Sequence, residues 1–268
     1  MKLETIKLEN SNSATLTLYL HNITKELGDQ ARPAILVIPG GGYEFVSERE
    51  AEPVAIAFYN AGYQVGILRY SIKEEARNMQ PMAEALTAIK LLRENAEEWL
   101  IAPDKIVTCG FSAGGHLAAS CGTMWNEPAL MEKLGYTDDR YKPNAMILCY
   151  PVISSGEFAH RGSFTAISGS HENDAVAEFF SLDKRVNGET PPTFLWHTED
   201  DSVVPIENAL LLIGALRKHK VSFECHIFNK GHHGLSMCNE EVNSPHPHAA
   251  HWFPLCVEWL GSIGFPAK

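Results

Sequence analysis

The chain has 268 residues, of which 45% are hydrophobic and 21% are charged, and its formal net charge is −11. This composition excludes an intrinsically disordered chain, and the length suits one large domain of mixed helix and strand. The acidic balance argues against a nucleic acid or an anionic membrane as partner, because both carry dense negative charge.

Two features of the sequence favour a reduced, cytoplasmic compartment. The N-terminal segment lacks the basic and apolar regions of a secretory signal, and no apolar run is long enough to span a bilayer. The six cysteines are scattered and form no CxxC pair, which favours buried free thiols over a disulfide framework. We therefore expect a cytoplasmic protein without a membrane anchor.

Apolar, β-rich runs alternate with helical patterns along the chain. Strands are predicted over residues 14–20, 34–39, 63–70, 105–111, 145–150, 193–197 and 222–228. Helices are predicted over residues 82–100, 115–124, 173–183, 204–218 and 249–260. This alternation predicts an α/β fold, with a mostly parallel, doubly wound sheet and helices on both faces. The short link between the first two strands predicts that they pair antiparallel at one edge.

A single domain over residues 1–268 is predicted, because no internal repeat and no Gly/Ser- or Pro-rich linker divides the chain. Residues 151–191 are longer than a crossover between parallel strands requires, and only 173–183 has a helical pattern. We expect this segment to form a small cap or loop insertion. Ligands of open α/β sheets bind at the carboxyl ends of the strands, so the cap would shape the substrate site.

The pattern Gly-x-Ser-x-Gly occupies residues 110–114, with Ser112 at its centre. It follows an apolar strand and opens a helix, the context in which a serine sits on a sharp turn and presents its hydroxyl. The flanking glycines remove the Cβ atoms that would clash at such a turn. We predict Ser112 as a nucleophile; a tight turn with an ordinary serine N-cap is the alternative.

A second glycine-rich segment, Gly40-Gly41-Gly42, follows the strand predicted at 34–39. A tetrahedral oxyanion needs backbone N–H donors that approach without side-chain obstruction, and glycines after a strand supply them. A phosphate-binding loop is disfavoured, because the Walker lysine and the spaced G-x-G-x-x-G pattern are both missing. A flexible turn is the other alternative.

A serine nucleophile requires a base and an orienting carboxylate. Glu199, Asp200 and Asp201 follow the strand predicted at 193–197, and His232 and His233 follow the strand predicted at 222–228. This order, serine then acid then histidine, is that of α/β hydrolases. The pattern locates the acid and the base but leaves open which carboxylate is used, and an acidic helix N-cap is the alternative.

Together these motifs resemble the α/β-hydrolase carboxylesterases of the acetylxylan-esterase-like group, relatives of the hormone-sensitive-lipase family. The resemblance covers roughly residues 34–260 and rests on segments 38–43, 47–50, 68–71, 109–118, 196–205 and 231–234 in that order. It implies an α/β-hydrolase fold and a serine carboxylesterase that hydrolyses short acyl esters, especially acetyl groups on sugars. The sequence departs from the hormone-sensitive-lipase pattern at Pro39, where those relatives usually carry a histidine.

The resemblance also implies roles for individual residues. The pattern that ends at Pro205 implies Asp201 as the acid, with Asp200 as the alternate, and the Gly-x-His-Gly pattern implies His233 as the base. It also implies a place for Tyr43 in the acyl or alcohol pocket, for which ordinary packing is an equal alternative.

The remaining predictions concern the oxyanion donors and the partners. The N–H groups of Ala113, Gly41 and Gly42 are the expected oxyanion donors. A small-molecule ester is the expected partner, with no metal, cofactor, nucleic acid or membrane, and homo-oligomerisation is left open. His116 is expected to be packed or hydrogen-bonded. The segment 160–164 also recurs in the resembled group, and it either contacts a polar substrate or anchors the cap. The alternatives to an esterase are a peptidase or amidase with the same triad and a noncatalytic binding module with the same fold.

Overall fold

The computed structural model describes residues 1–22, 26, 30–169 and 174–268. Within these residues eight strands form one sheet: β1 (Lys2–Lys7), β2 (Thr15–Leu20), β3 (Arg32–Ile38), β4 (Gln64–Arg69), β5 (Ile101–Phe111), β6 (Ala145–Cys149), β7 (Thr193–Thr198) and β8 (Phe223–Phe228). Their spatial order is β1-β2-β4-β3-β5-β6-β7-β8. Pairing is parallel from β4 to β8 and antiparallel for β1–β2 and β2–β4. The sheet is therefore mostly parallel, as the alternation of strands and helices predicts.

Helices cover both faces of this sheet. They are α1 (Glu52–Asn60), α2 (Gln80–Glu94), α3 (Ala113–Thr123), α4 (Pro128–Leu134), α5 (Arg161–Ser168), α6 (Asp174–Phe179), α7 (Glu207–Lys218) and α8 (Trp252–Ser262). Leu36 of β3 packs in a hydrophobic cluster with residues of α2, α3 and α7, whereas its neighbour Ile35 packs in a second cluster with residues of α1 and α8. Successive side chains of a strand point to opposite faces, so the two clusters are the two sides of one sheet.

The seven predicted strands are confirmed, and one pairing is wrong. Strand β2 pairs with β4, with Thr15 opposite Arg69, rather than with β3 as the short link predicts. Six of the seven residues of β3 are buried, and β3 lies between two parallel neighbours, β4 and β5. Because both edges of β3 are occupied, β2 cannot pair with it and joins the sheet at the outer edge of β4 instead. Strand β1 lies outside the predicted strands and is a largely exposed edge strand with charged residues, as is common at sheet edges.

Helix boundaries differ from the prediction where polar side chains bind the backbone. Helix α2 ends at Glu94 rather than at residue 100, and the Asn95 side chain donates to the Leu91 carbonyl at 2.9 Å. Helix α5 lies in the segment predicted to hold one helix, and the His160 ring accepts the N–H of Ser163 at its start. The predicted helix at 173–183 corresponds to α6, and residue 173 itself lies outside the described residues. Helices α1 and α4 also lie outside the predicted helices.

Two further sequence predictions concern thiols and membranes. All six cysteines are free, and five of them are buried, with Cys225 partly exposed. In the described ranges of the chain, every helix is too short or too polar to traverse a bilayer.

Two glycines provide a matched test of the packing around the turn at Ser112. A Cβ atom on Gly114 would lie 2.1 Å from the Ile38 carbonyl oxygen, whereas one on Gly214, at an exposed position of α7, would meet nothing within 4 Å. We expect Gly114→Ala to lower the free energy of unfolding by about 3 kcal/mol, because the backbone must shift. Gly214→Ala should raise it by about 0.5–1 kcal/mol, because alanine favours a helix. Urea unfolding measures both changes, and a Gly114→Ala protein as stable as the wild type would contradict this packing.

Candidate active site

Ser112 lies at the carboxyl end of β5, on the sharp turn that leads into α3. Its backbone has φ 54° and ψ −120°, a conformation that L-residues rarely adopt. The turn is held because the Ser112 N–H donates to the Cys149 carbonyl and its own carbonyl accepts from His116 and Val152. A Cβ atom on Gly110 would lie 2.1 Å from the Gly114 carbonyl oxygen, so the strand and the helix meet where glycine is required. The predicted strand–turn–helix context of the serine is therefore present.

Ser112, His233 and Asp201 form one continuous chain of hydrogen bonds. The Nε2 atom of His233 lies 2.7 Å from the Ser112 Oγ, and its Nδ1 atom lies 2.7 Å from the Asp201 Oδ2. Asp201 follows β7 and His233 follows β8, so three parallel strands deliver these side chains to the same edge of the sheet. An ionised Asp201 accepts a hydrogen bond from the Nδ1–H of His233, which leaves Nε2 without a proton and able to accept that of the serine hydroxyl.

The surroundings of Asp201 keep its carboxylate ionised. Its Oδ1 atom accepts the N–H groups of Val203 and Val204 at 2.9 and 3.0 Å, and the Nε2 atom of buried His197 lies 3.4 Å from Oδ2. Burial by itself raises the pKa of Asp201, but hydrogen bonds from His197, His233 and the backbone outweigh burial and hold this pKa well below its ordinary value. The same turn delays the start of α7 to Glu207, three residues later than predicted.

Asp200 and His232, the sequence neighbours of Asp201 and His233, make their hydrogen bonds outside the Ser112–His233–Asp201 chain. The Oδ1 atom of Asp200 accepts the N–H of Gly231 at 2.7 Å, and its Oδ2 lies 3.3 Å from the Lys230 Nζ. The hydrogen bond from Gly231 is the main reason that the pKa of Asp200 is lowered. The exposed His232 ring contacts the carbonyl oxygen of His233. Of the two candidate acids, only Asp201 reaches the imidazole of His233.

The glycine loop after β3 is held in one conformation against the serine turn. Gly41 has φ 127°, and a Cβ atom on it would lie 2.0 Å from the Phe45 carbonyl oxygen, so only glycine fits there. The Gly41 carbonyl accepts the N–H groups of Glu44 and Phe45, and the Tyr70 hydroxyl donates to the Pro39 carbonyl at 2.8 Å. A loop with this many internal bonds can present N–H donors without reorganising during a reaction.

Donors for an oxyanion remain free in this loop and at the serine turn. In the part of the chain that the structure describes, no acceptor pairs with the N–H groups of Gly41, Gly42 and Ala113. Gly41 and Gly42 line the same cavity as Ser112. The N–H of Gly40 is already used, because it donates to the Glu50 carboxylate at 2.9 Å.

Tyr43, the predicted pocket residue, packs in the interior instead. Its side chain is fully buried, its hydroxyl lies 2.8 Å from the His116 Nδ1, and the cavity is lined by its neighbours Gly42 and Glu44. The other ring nitrogen of His116 lies 2.8 Å from the Phe180 carbonyl, which can only accept, so Nδ1 accepts from Tyr43. Burial lowers the pKa of His116 to about 4, so this ring is neutral near pH 7. Of the two roles considered for Tyr43, a place in the substrate pocket and ordinary packing, the geometry favours packing. His116 is hydrogen-bonded, as expected.

A cavity of about 280 Å³ opens in front of the serine. It is lined by Gly41, Gly42, Glu44, Phe45, Ser47, Arg49, Glu50, Ser112, His160, Gly162, Val203, His233 and Gly234. Phe45 and Val203 expose apolar side chains, with relative exposures of 58% and 48%. His160, at the start of α5, belongs to the predicted cap segment, so this segment borders the cavity in front of Ser112. Segments 47–50 and 196–205 contribute to the family resemblance, but they assign no role to Glu50 or Val203, and Phe45 lies outside the segments that carry the resemblance.

Three comparisons relate the chain to known proteins. The BD-FAE family profile matches residues 18–216. The endo-1,4-beta-xylanase B of Butyrivibrio fibrisolvens is 38% identical over 232 residues, which are 85% of this chain and 36% of that protein. The acetylxylan esterase of Xylanibacter ruminicola is 27% identical over 208 residues, which are 75% of this chain and 41% of that protein.

A solved structure extends the similarity to nearly the whole chain. The acetyl ester-xyloside bifunctional hydrolase of Caldicellulosiruptor lactoaceticus superposes with a TM-score of 0.82 at 37% identity, covering 94% of this chain and 89% of that one. The chain spans 36–58% of the length of the curated relatives that it matches. These similarities confirm the predicted α/β-hydrolase fold, and the names of the relatives support the predicted class, carboxylic ester hydrolase.

Proposed function

Because this chain belongs to the BD-FAE family and has the α/β-hydrolase fold, we propose that it is a serine carboxylesterase for short acyl esters, chiefly acetyl esters. The observation that carries the proposal is the hydrogen-bond chain from Ser112 through His233 to Asp201, with both links at 2.7 Å, beside an open cavity. That arrangement matches the geometry required of a nucleophile, a base and an orienting acid.

Acylation begins when the Ser112 Oγ attacks the carbonyl carbon of the ester. As the new C–O bond forms, the hydroxyl proton passes to Nε2 of His233, and the carbonyl π electrons move to the oxygen. Asp201 remains ionised and stabilises the imidazolium through Nδ1. The tetrahedral intermediate then collapses, the ester C–O bond breaks, and His233 gives its proton to the departing alcohol.

Deacylation repeats these steps with water as the nucleophile. His233 takes a proton from the water that attacks the acyl-enzyme, and it returns the proton to Ser112 when the acid leaves. In both tetrahedral intermediates the oxyanion accepts hydrogen bonds from the backbone N–H groups of Ala113, Gly41 and Gly42. Such preorganised donors act where negative charge develops, so they lower the barrier to the chemical step.

The cavity supports a small acyl group. Its volume is about 280 Å³, and its lining includes the apolar side chains of Phe45 and Val203. The similarity to proteins named acetylxylan esterase and acetyl ester-xyloside hydrolase supports acetylated sugars as the substrate class. Acetate release from acetylated xylo-oligosaccharides, compared with a Ser112→Ala control, tests this assignment.

A series of p-nitrophenyl esters tests the acyl preference, because the leaving group stays constant. We expect kcat/KM to be greatest between acetate and butyrate and to fall by at least about 10-fold at octanoate, because a longer chain must leave the cavity. A maximum at octanoate or longer would contradict the proposed short-acyl preference. An aminoacyl p-nitroanilide in the same assay separates the esterase from a peptidase or amidase.

A further inference from the structure

We propose that Glu50 is a positioning residue for the proposed ester hydrolysis. It connects the glycine loop after β3 (Gly40–Gly42), here called the oxyanion loop, to the loop after β8 that carries His233 and Ser236. The proposal rests on the proposed function above and adds a residue to its machinery. Glu50 has 3% relative exposure and borders the catalytic cavity, yet no basic side chain in the described ranges pairs with it. A buried carboxylate is costly unless hydrogen bonds satisfy it, so the two donors that hold Glu50 are informative.

The first donor belongs to the oxyanion loop. The N–H of Gly40 donates to the Glu50 Oε2 at 2.9 Å, and this peptide directly precedes the free donors at Gly41 and Gly42. A Cβ atom on Gly40 would lie 2.7 Å from that carboxylate oxygen and 2.9 Å from the Ser112 Cβ. The carboxylate, the loop and the serine therefore meet in one tight contact, where a displaced carboxylate would move the loop relative to Ser112.

The second donor leads to the loop that carries the base. The Tyr150 hydroxyl donates to the Glu50 Oε1 at 2.8 Å and accepts the N–H of Ser236 at 2.8 Å. The ring of Tyr150 also packs edge-on against the His233 ring, with centroids 5.1 Å apart. Burial raises the pKa of Tyr150 well above its ordinary value, so the hydroxyl keeps its proton for Glu50. The Ser236 hydroxyl donates to the carbonyl of Arg49, the residue before Glu50, and this hydrogen bond is a second link between the two segments.

This arrangement requires a carboxylate rather than an amide. Each oxygen of Glu50 accepts one donor, and the two donors belong to different loops. Glutamine has the same shape but only one accepting oxygen, so Glu50→Gln would leave either the Gly40 N–H or the Tyr150 hydroxyl without an acceptor. Glu48 is a matched control, because it lies two residues away on the surface and pairs with Arg69.

Steady-state kinetics with p-nitrophenyl acetate tests the proposal in four variants: Glu50→Gln, Tyr150→Phe, the double variant and Glu48→Gln. We expect Glu50→Gln to lower kcat about 10- to 100-fold with KM within about 3-fold of wild type, because small misplacements of catalytic groups slow chemistry. Tyr150→Phe should lower kcat about 5- to 10-fold, and the double variant should resemble Glu50→Gln, because both act through one connection. Glu48→Gln should stay within about 2-fold of wild type.

Three results would overturn the assignment: wild-type kcat in Glu50→Gln, a loss that appears only in KM, or single effects that multiply fully in the double variant. Thermal unfolding accompanies each measurement. If Glu50→Gln does not unfold cooperatively, Tyr150→Phe decides, and a wild-type kcat there overturns the proposal. Ester turnover that depends on Ser112 but not on Glu50 would reject this inference alone, whereas turnover unaffected by Ser112→Ala would reject the proposed function itself.

Discussion

Replacing Ser112 by alanine is expected to lower kcat/KM for p-nitrophenyl acetate by at least about 10⁴-fold. Alanine removes the hydroxyl oxygen that contacts His233 Nε2, so no acyl-enzyme can form at this position. The residual rate would come from binding and from the oxyanion donors alone. Steady-state kinetics with purified protein measures the change.

Ser202→Ala serves as the matched control for this variant. Ser202 is exposed and lies next to Asp201 in sequence, on the loop after β7. We expect its kcat/KM to stay within about 2-fold of wild type, as for most surface substitutions. A Ser112→Ala protein that keeps more than a few per cent of wild-type turnover would contradict the assignment of the nucleophile.

Asp201→Asn is expected to lower kcat by about 10⁴-fold, whereas Asp200→Asn should lower it by less than about 10-fold. An asparagine at 201 can turn its NH₂ group towards His233 and favour the tautomer that carries its proton on Nε2. That tautomer cannot accept the proton of Ser112. An asparagine at 200 keeps a carbonyl oxygen for the Gly231 N–H, the main bond that Asp200 makes.

The two asparagine variants are controls for each other, because each replaces one oxygen of an adjacent carboxylate by an NH₂ group. Both proteins should remain folded, which circular dichroism and thermal unfolding can verify. Equal losses in the two variants, or a larger loss at Asp200, would contradict the place of Asp201 in the triad.

Much of the candidate site could be predicted because its constraints are local. A serine between strand and helix needs glycines at positions 110 and 114, and both appear in the sequence beside Ser112. The same holds for Gly41, whose neighbours leave no room for a Cβ atom. Strand patterns were also predictable, since six of the seven residues of β3 are buried and the run is correspondingly apolar.

Other features depend on distant parts of the chain and carry no local pattern. Glu50 follows Glu48 and Arg49, so its residue type alone suggests a solvated charged segment, yet Tyr150, 100 residues later, holds it in the interior. The choice between Asp200 and Asp201 depends on which carboxylate reaches His233, 32 residues later in the chain. The resemblance implied Asp201, but the residues alone did not decide.

The pairing of β2 at the sheet edge could not be predicted either, because it also depends on distant parts of the chain. The short connection after β2 suggested a neighbour in sequence, but β3 already has two parallel neighbours in space. Pairing of β2 with β4 therefore depends on how the later strands fill the sheet, which the first forty residues do not encode. Tyr43 is a similar case, because its burial depends on His116 in α3.

Covalent labelling with a fluorophosphonate tests the central claim most directly, because the reagent phosphonylates only a serine that its active site activates. We predict one equivalent of label per chain, located by peptide mass spectrometry on Ser112, with no label on the Ser112→Ala protein and strongly slowed labelling of Asp201→Asn. Absence of labelling in the wild type, or equal labelling of the Ser112→Ala protein, would contradict the assignment of Ser112 as the catalytic nucleophile.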